Sequence, residues 1–167
     1  HMLYFIARDG FILKKIADII IRDCGLEMKT KYIYGSRIAW RIQDACEEKK
    51  ENLRLYLRQE IDCSEKFAFV EVNGTGYTME CLADSIRELC DQKVYVFYFS
   101  LKKKTEYPYC CFFTYLTAYD EIVEVLCRAP HGPTIGYIKK DRKVFPEIQS
   151  VDEKLWENAG LPGYING

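Results

Sequence analysis

The feature that most constrains this chain is residues 66–89, KFAFVEVNGTGYTMECLADSIREL, where an apolar run of strand length, a glycine-bearing turn and a helical period follow directly. Phe67, Ala68, Phe69, Val70 and Val72 are nearly continuous hydrophobics, with Glu71 near the carboxyl end. That pattern is a strand covered on both faces. Met79, Leu82, Ile86 and Leu89 then recur at helical spacing. Between the two elements lie Asn73, Gly74, Thr75 and Gly76. Glycines there let backbone N–H groups approach a ligand, Thr75 and Thr78 add hydroxyls, and a helix N-terminus favours negative charge. The same composition also serves a plain strand-to-helix turn, so an anion site and simple turn chemistry both stand at this stage.

The rest of the chain repeats this alternation. Residues 3–7 form an apolar strand running into Arg8-Asp9-Gly10, and the helix that follows carries Ile12, Ile16, Ile19 and Ile20 on one side and stops at Gly25. Residues 31–35, KYIYG, give a second strand ending in Ser36-Arg37. Residues 38–61 read as helical, with the charge run at 47–51 as solvated surface. Residues 94–99, VYVFYF, supply a fourth strand. Residues 109–116 read as buried aromatics, 121–127 as a short helix, and 134–139 with 143–148 as a hairpin across Lys140-Asp141-Arg142. Ser150 and Glu153 form a capping box for a terminal helix stopped by Gly160 and Pro162. The expectation is a three-layer, Rossmann-like α/β domain over residues 3–167, with a mainly parallel sheet of about four or five strands and an appended C-terminal hairpin and helix. His1-Met2 reads as a cloning remnant.

In such sheets functional groups gather beyond the carboxyl ends of the strands. This selects Arg8, Asp9, Ser36, Arg37, Glu71 and residues 73–78. Asp9 is expected to stand exposed there rather than in a structural ion pair, and Gly76 to be the position where a side chain would most obstruct an anion. Arg128 and His131 sit in an irregular loop fixed by Pro130 and Pro133. His131 is a candidate acid or base, and Arg128 a clamp for phosphate or carboxylate; both also suit a structural loop. Lys102, Lys103 and Lys104 read as solvent-exposed.

The 24 Lys and Arg nearly cancel the 25 Asp and Glu, so net charge draws the chain to neither nucleic acid nor membrane. No signal peptide or apolar run of about 20 residues is present, which argues against membrane insertion. Eight cysteines without a Cys-x-x-Cys pair read as free, small, mostly buried thiols of a reducing cytosol, giving a cytoplasmic expectation.

The opening YFIARDGFIL resembles motif one of the haloacid-dehalogenase-like phosphohydrolases, an apolar strand ending in Asp-x-Asp-Gly-Thr. Matched in order, Ala7 takes the place of the nucleophilic aspartate, Asp9 that of the acid/base aspartate, Gly10 the glycine and Phe11 the threonine. Ser36 matches the phosphate-binding serine or threonine. An alanine offers no oxygen for an aspartyl-phosphate, so the resemblance implies phosphate binding without that nucleophile. The order YFIARDG, YIYGSR, FAFVEVNGTGYT and RAPHGPTIGY is also similar to the later portion of bacterial predicted dehalogenase-like hydrolases found among surface-polysaccharide and glycosyltransferase genes. In longer relatives an amino-terminal domain carries the intact motif. The central stretch resembles in addition the phosphoribosyl-pyrophosphate loop of phosphoribosyltransferases, with Glu71 as the first acid, Thr75, Gly76 and Thr78 around the 5-phosphate, and Val72 in place of the second acid.

The site expected from these readings has Asp9, Glu71 and His131 as catalytic candidates. Ser36, Arg37, Asn73, Gly74, Thr75, Gly76, Thr78 and Arg128 are the phosphate-binding candidates. Asp9 and Glu71 would hold Mg2+ against substrate phosphates. The resemblance implies a domain of polysaccharide assembly that binds a phosphorylated sugar or nucleotide, partnered by a glycosyltransferase or an amino-terminal dehalogenase-like domain. A phosphoribosyltransferase-like transferase and a non-catalytic glycosyltransferase scaffold are the alternatives.

Overall fold

The computed structural model describes residues 1–102, 105–115 and 120–150. The terminal helix with its capping residue Glu153, together with Lys103 and Lys104, lies outside the described residues. Five strands form one parallel sheet: β1 (Met2–Ile6), β2 (Lys29–Ile33), β3 (Phe67–Gly74), β4 (Tyr95–Leu101) and β5 (Cys110–Tyr115), in the order β2-β1-β3-β4-β5. The chain first steps from β1 out to β2, then returns past β1 and continues the other way. The order therefore reverses between β1 and β3, as in the flavodoxin-like form of a doubly wound sheet, and leaves a crevice beyond their carboxyl ends. The three-layer, Rossmann-like expectation holds.

Helices α1 (Gly10–Cys24) and α5 (Asp120–Cys127) pack together on one side. The other side carries α2 (Arg37–Trp40), α3 (Glu47–Glu60), α4 (Tyr77–Arg87) and the antiparallel hairpin of β6 (Thr134–Lys140) and β7 (Lys143–Ile148). That second side holds most of the core. Tyr4, Phe69 and Val96 of the sheet meet Leu53 and Leu57 of α3 and Met79, Leu82 and Ile86 of α4, all fully buried. Each such side chain is worth roughly 1.5–3 kcal/mol of transfer free energy. The hairpin is tied in by polar contacts. Trp40 Nε1 donates to the Tyr137 hydroxyl at 2.7 Å, which donates in turn to the Tyr34 carbonyl, while the Tyr56 and Tyr137 rings stack at 4.3 Å.

Several expectations change. The region 38–61 is two helices separated by residues 41–46, and the charge run opens the second, where Glu47 and Glu48 complement the helix dipole. The first strand ends at Ile6 rather than Ala7, and the second runs from Lys29 to Ile33. β3 continues through Asn73 and Gly74, which pair in register with Ser100 and Leu101. Ile16, Ile19 and Ile20 of α1 are about half exposed, and Phe113 of β5 is 82% exposed, because the α1 and α5 side covers less of the sheet. Gly25 caps α1 as expected.

The cysteines also depart from their reading. Cys63 and Cys90 form a disulfide, with Cα atoms 5.4 Å apart, although 27 positions separate them in the sequence. Cys24, Cys46 and Cys111 are exposed, leaving Cys81 and Cys127 as the buried free thiols. The step from free thiols to a reducing compartment therefore loses its basis. Among the described residues, no helix is long and apolar enough to cross a membrane.

Candidate functional site

Beyond the carboxyl ends of β1 and β3 the sheet opens into a cavity of about 460 Å3. The crevice rule accounts for its position. Asp9, Ser36, Arg37, Glu71, Asn73, Gly74, Thr75 and Thr78 all line it, so the structure brings together most of the residues that the strand-end argument selected. Gly76, Arg128 and His131 do not line it.

Asp9 occupies the N-cap position of α1, where an aspartate ordinarily accepts a backbone N–H of the first turn. It makes no such bond. Its Oδ1 is buried without a hydrogen-bond partner. Asp9 is part-buried rather than exposed, a correction to the sequence reading: α5 closes over it and brings Glu124 close. Burial, reinforced by Glu124, pushes its carboxyl from an ordinary 3.8 up to about 6, against the pull of Arg8, Arg128 and Lys102. Glu71 responds in the same way. Burial and the nearby Asp9 raise it from 4.5 to about 7, opposed by the Tyr98 hydroxyl and by the charges of Arg37 and Lys102. Burial followed by Glu71 holds the Tyr98 phenol well above its usual range.

Around these carboxyls stand Arg8, Arg37, Arg41 and Lys102. Among the described residues no ion pair joins any of these four cations to Asp9, Glu71 or Glu124. Asp9 and Glu71 are part-buried, while Arg37, Arg41 and Lys102 are exposed. Part-buried carboxyls without an ion-pair partner are costly, and the cations beside them are suited to receiving the charges of a ligand. Among the described residues no group of three or more His, Cys, Asp or Glu side chains is placed to hold a metal ion.

The glycine turn is shorter than its sequence suggests. With Asn73 and Gly74 in the β ladder, and the Gly74 carbonyl accepting from Lys102 N at 2.9 Å, only Thr75 and Gly76 connect β3 to α4. Gly76 caps α4 in the left-handed region at φ 84, and a side chain there would collide with Thr105 rather than with a bound anion. Gly74 serves a different purpose, since a Cβ would lie 2.7 Å from the Tyr98 ring. The Thr78 hydroxyl accepts from Arg41 Nη2 at 2.8 Å and Nε at 3.1 Å, and the Asn73 amide donates to Glu124 at 3.0 Å. Both side chains thus hold neighbouring charged groups in place.

Ser36 lines the cavity, yet its hydroxyl accepts from Ile38 N and Ala39 N, capping α2, and donates to the Thr134 carbonyl. A hydroxyl has one proton, so none remains for a phosphate. His131 is held away from the cavity between the Tyr32 hydroxyl, 2.9 Å from Nε2, and the Gly132 carbonyl, 2.8 Å from Nδ1. That geometry fits a loop anchor. Arg128 does not line the cavity and acts on Asp9 through its charge.

The residues that sequence reasoning missed are Arg41, Tyr98, Lys102 and Glu124. Lys102 follows directly after β4, so the strand-end rule would have selected it. Tyr98 is the register partner of Glu71 in the neighbouring strand. Arg41 depends on the helix break after Trp40, and Glu124 on the way α5 packs, neither of which has a local signal. Compared with protein-family models and with curated proteins, the chain finds no match.

Proposed function

We propose that this cavity binds a small phosphorylated molecule, a sugar phosphate or a nucleotide. The observation that carries the reading is the unpaired charge set around Asp9, whose carboxylate stands at a helix N-cap, makes no cap and keeps a buried Oδ1 without a partner. Phosphate oxygens would be met by Arg8, Arg37, Arg41 and Lys102, with the N-terminus of α4 alongside. Asp9 and Glu71, protonated more readily than ordinary carboxyls, would donate to sugar or phosphate oxygens. In their ionised form the same two carboxylates would instead hold a Mg2+ ion. That ion is commonly held by one or two carboxylates plus substrate phosphates, and it would relieve the mutual repulsion of Asp9 and Glu71 while neutralising phosphate charge.

Ala7 lines the cavity where β1 gives way to the loop, at the position that resembles the dehalogenase-like nucleophile. Its methyl group cannot form an acylphosphate, so the reading is ligand binding without phosphoryl transfer through residue 7. The two-residue connection from β3 to α4 favours this over a phosphoribosyltransferase-like loop, which needs more chain to wrap a 5-phosphate. A role in polysaccharide assembly extends the sequence resemblance alone.

Calorimetric titration with ribose 5-phosphate, glucose 1-phosphate and uridine 5′-monophosphate, each with and without Mg2+, tests the proposal. At least one should bind, and Arg37→Ala should weaken it by about tenfold or more, as expected for loss of a charge-assisted bond. No binding by any of them would reject the proposal and favour a scaffold.

A further inference from the structure

One side of the cavity mouth is unlike the rest. Ile38, which lines the cavity between Arg37 and Arg41 in the sequence, is 63% exposed, and Tyr77, adjacent to the lining residue Thr78, is 49% exposed. Arg41 shares the cavity lining with Ile38, and its guanidinium lies over the Tyr77 ring, 4.7 Å from its centroid. Two bonds to the Thr78 hydroxyl, from Nε and Nη2, fix its orientation. Arg41 is itself exposed, so one face of the guanidinium rests on Tyr77 and the other is open. A flat, delocalised cation already stacked on one aromatic ring is a ready surface for a second. The ledge adjoins the unpaired cations, and the cavity is much larger than a single tetrahedral anion requires.

We infer that the ligand carries a planar aromatic ring, and that the phosphorylated molecule is a nucleotide whose base stacks on Arg41 with Ile38 at its edge. This rests on the phosphate reading of the same cavity. A sugar phosphate without a base would fill the charged part and leave the ledge bare. Tyr77 acts here as a positioning residue, supporting Arg41 from beneath.

The test is the ratio of affinities for uridine 5′-monophosphate and ribose 5-phosphate, which share the 5-phosphate and differ chiefly in the base. Wild type should favour the nucleotide by about fivefold or more, the lower end of base stacking. Arg41→Lys keeps the charge and loses the plane, so the ratio should fall toward one. Tyr77→Phe keeps the supporting ring and should keep the ratio. Equal affinities in wild type, or a preference that survives Arg41→Lys, would overturn the base ledge while leaving the phosphate site standing. Binding of neither compound while glucose 1-phosphate binds would overturn the base ledge alone, and binding of none of the three would overturn both.

Discussion

Replacing Asp9 with asparagine should make the protein more stable above neutral pH. In the folded chain this carboxyl is raised from 3.8 to about 6, so folding favours its protonated form. A carboxyl shifted upward contributes stability that is fully present below pH 4 and lost as pH rises through 6. The full shift corresponds to about 3 kcal/mol, and partial access to water reduces the expected gain on removing the charge to about 1–2 kcal/mol. Glu71, raised to about 7 partly by Asp9, should relax downward in the variant and add to the effect. Urea unfolding at pH 3.5 and pH 8 measures it. Asp9→Asn should lie close to wild type at pH 3.5 and gain at pH 8, with weaker binding of the phosphorylated ligand. A loss of stability at pH 8, or equal effects at both pH values, would instead show that Asp9 is a structural group.

Gly76→Val should lower stability by about 2 kcal/mol or more, read as a lower melting temperature, because the left-handed backbone and Thr105 both oppose a side chain. Thr78→Val should instead leave the fold intact and weaken ligand binding by about 0.5–1.5 kcal/mol in calorimetry, since Arg41 loses its anchor. Cys63→Ser opens the loop of β3 and α4 closed by Cys90, and should cost about 3–4 kcal/mol in urea unfolding on the loop-entropy estimate. His131→Ala should cost about 1–2 kcal/mol in the same assay through its bonds to Tyr32 and Gly132, while ligand affinity stays within about twofold.

The scaffold of the site was legible because buried parallel strands leave contiguous apolar runs, and because the carboxyl ends of those runs are where such sheets keep their chemistry. Asp9, Arg37 and Glu71 were reached that way. Boundaries were less legible: Asn73 and Gly74 look like turn residues, but β4 offers them register partners and the strand continues. Contacts set by packing left no local trace. Glu124 reaches the cavity only because α5 crosses back beside β3, and Cys63 meets Cys90 only because the ends of α3 and α4 lie together. The structural roles of Ser36 and His131 leave no local trace for a related reason. Their hydrogen-bonding capacity is taken up by carbonyls and hydroxyls contributed from distant parts of the chain.

An amide NMR titration with uridine 5′-monophosphate locates phosphate binding on the protein itself, because a second cationic surface, at Arg58, Lys139 and Arg142, serves as an internal control. Binding in the cavity gives saturable shifts concentrated at Asp9, Arg37, Arg41 and residues 75–78, with little change along the hairpin. Shifts centred on Lys139 and Arg142, or a linear drift across all exposed lysines and arginines, would contradict it.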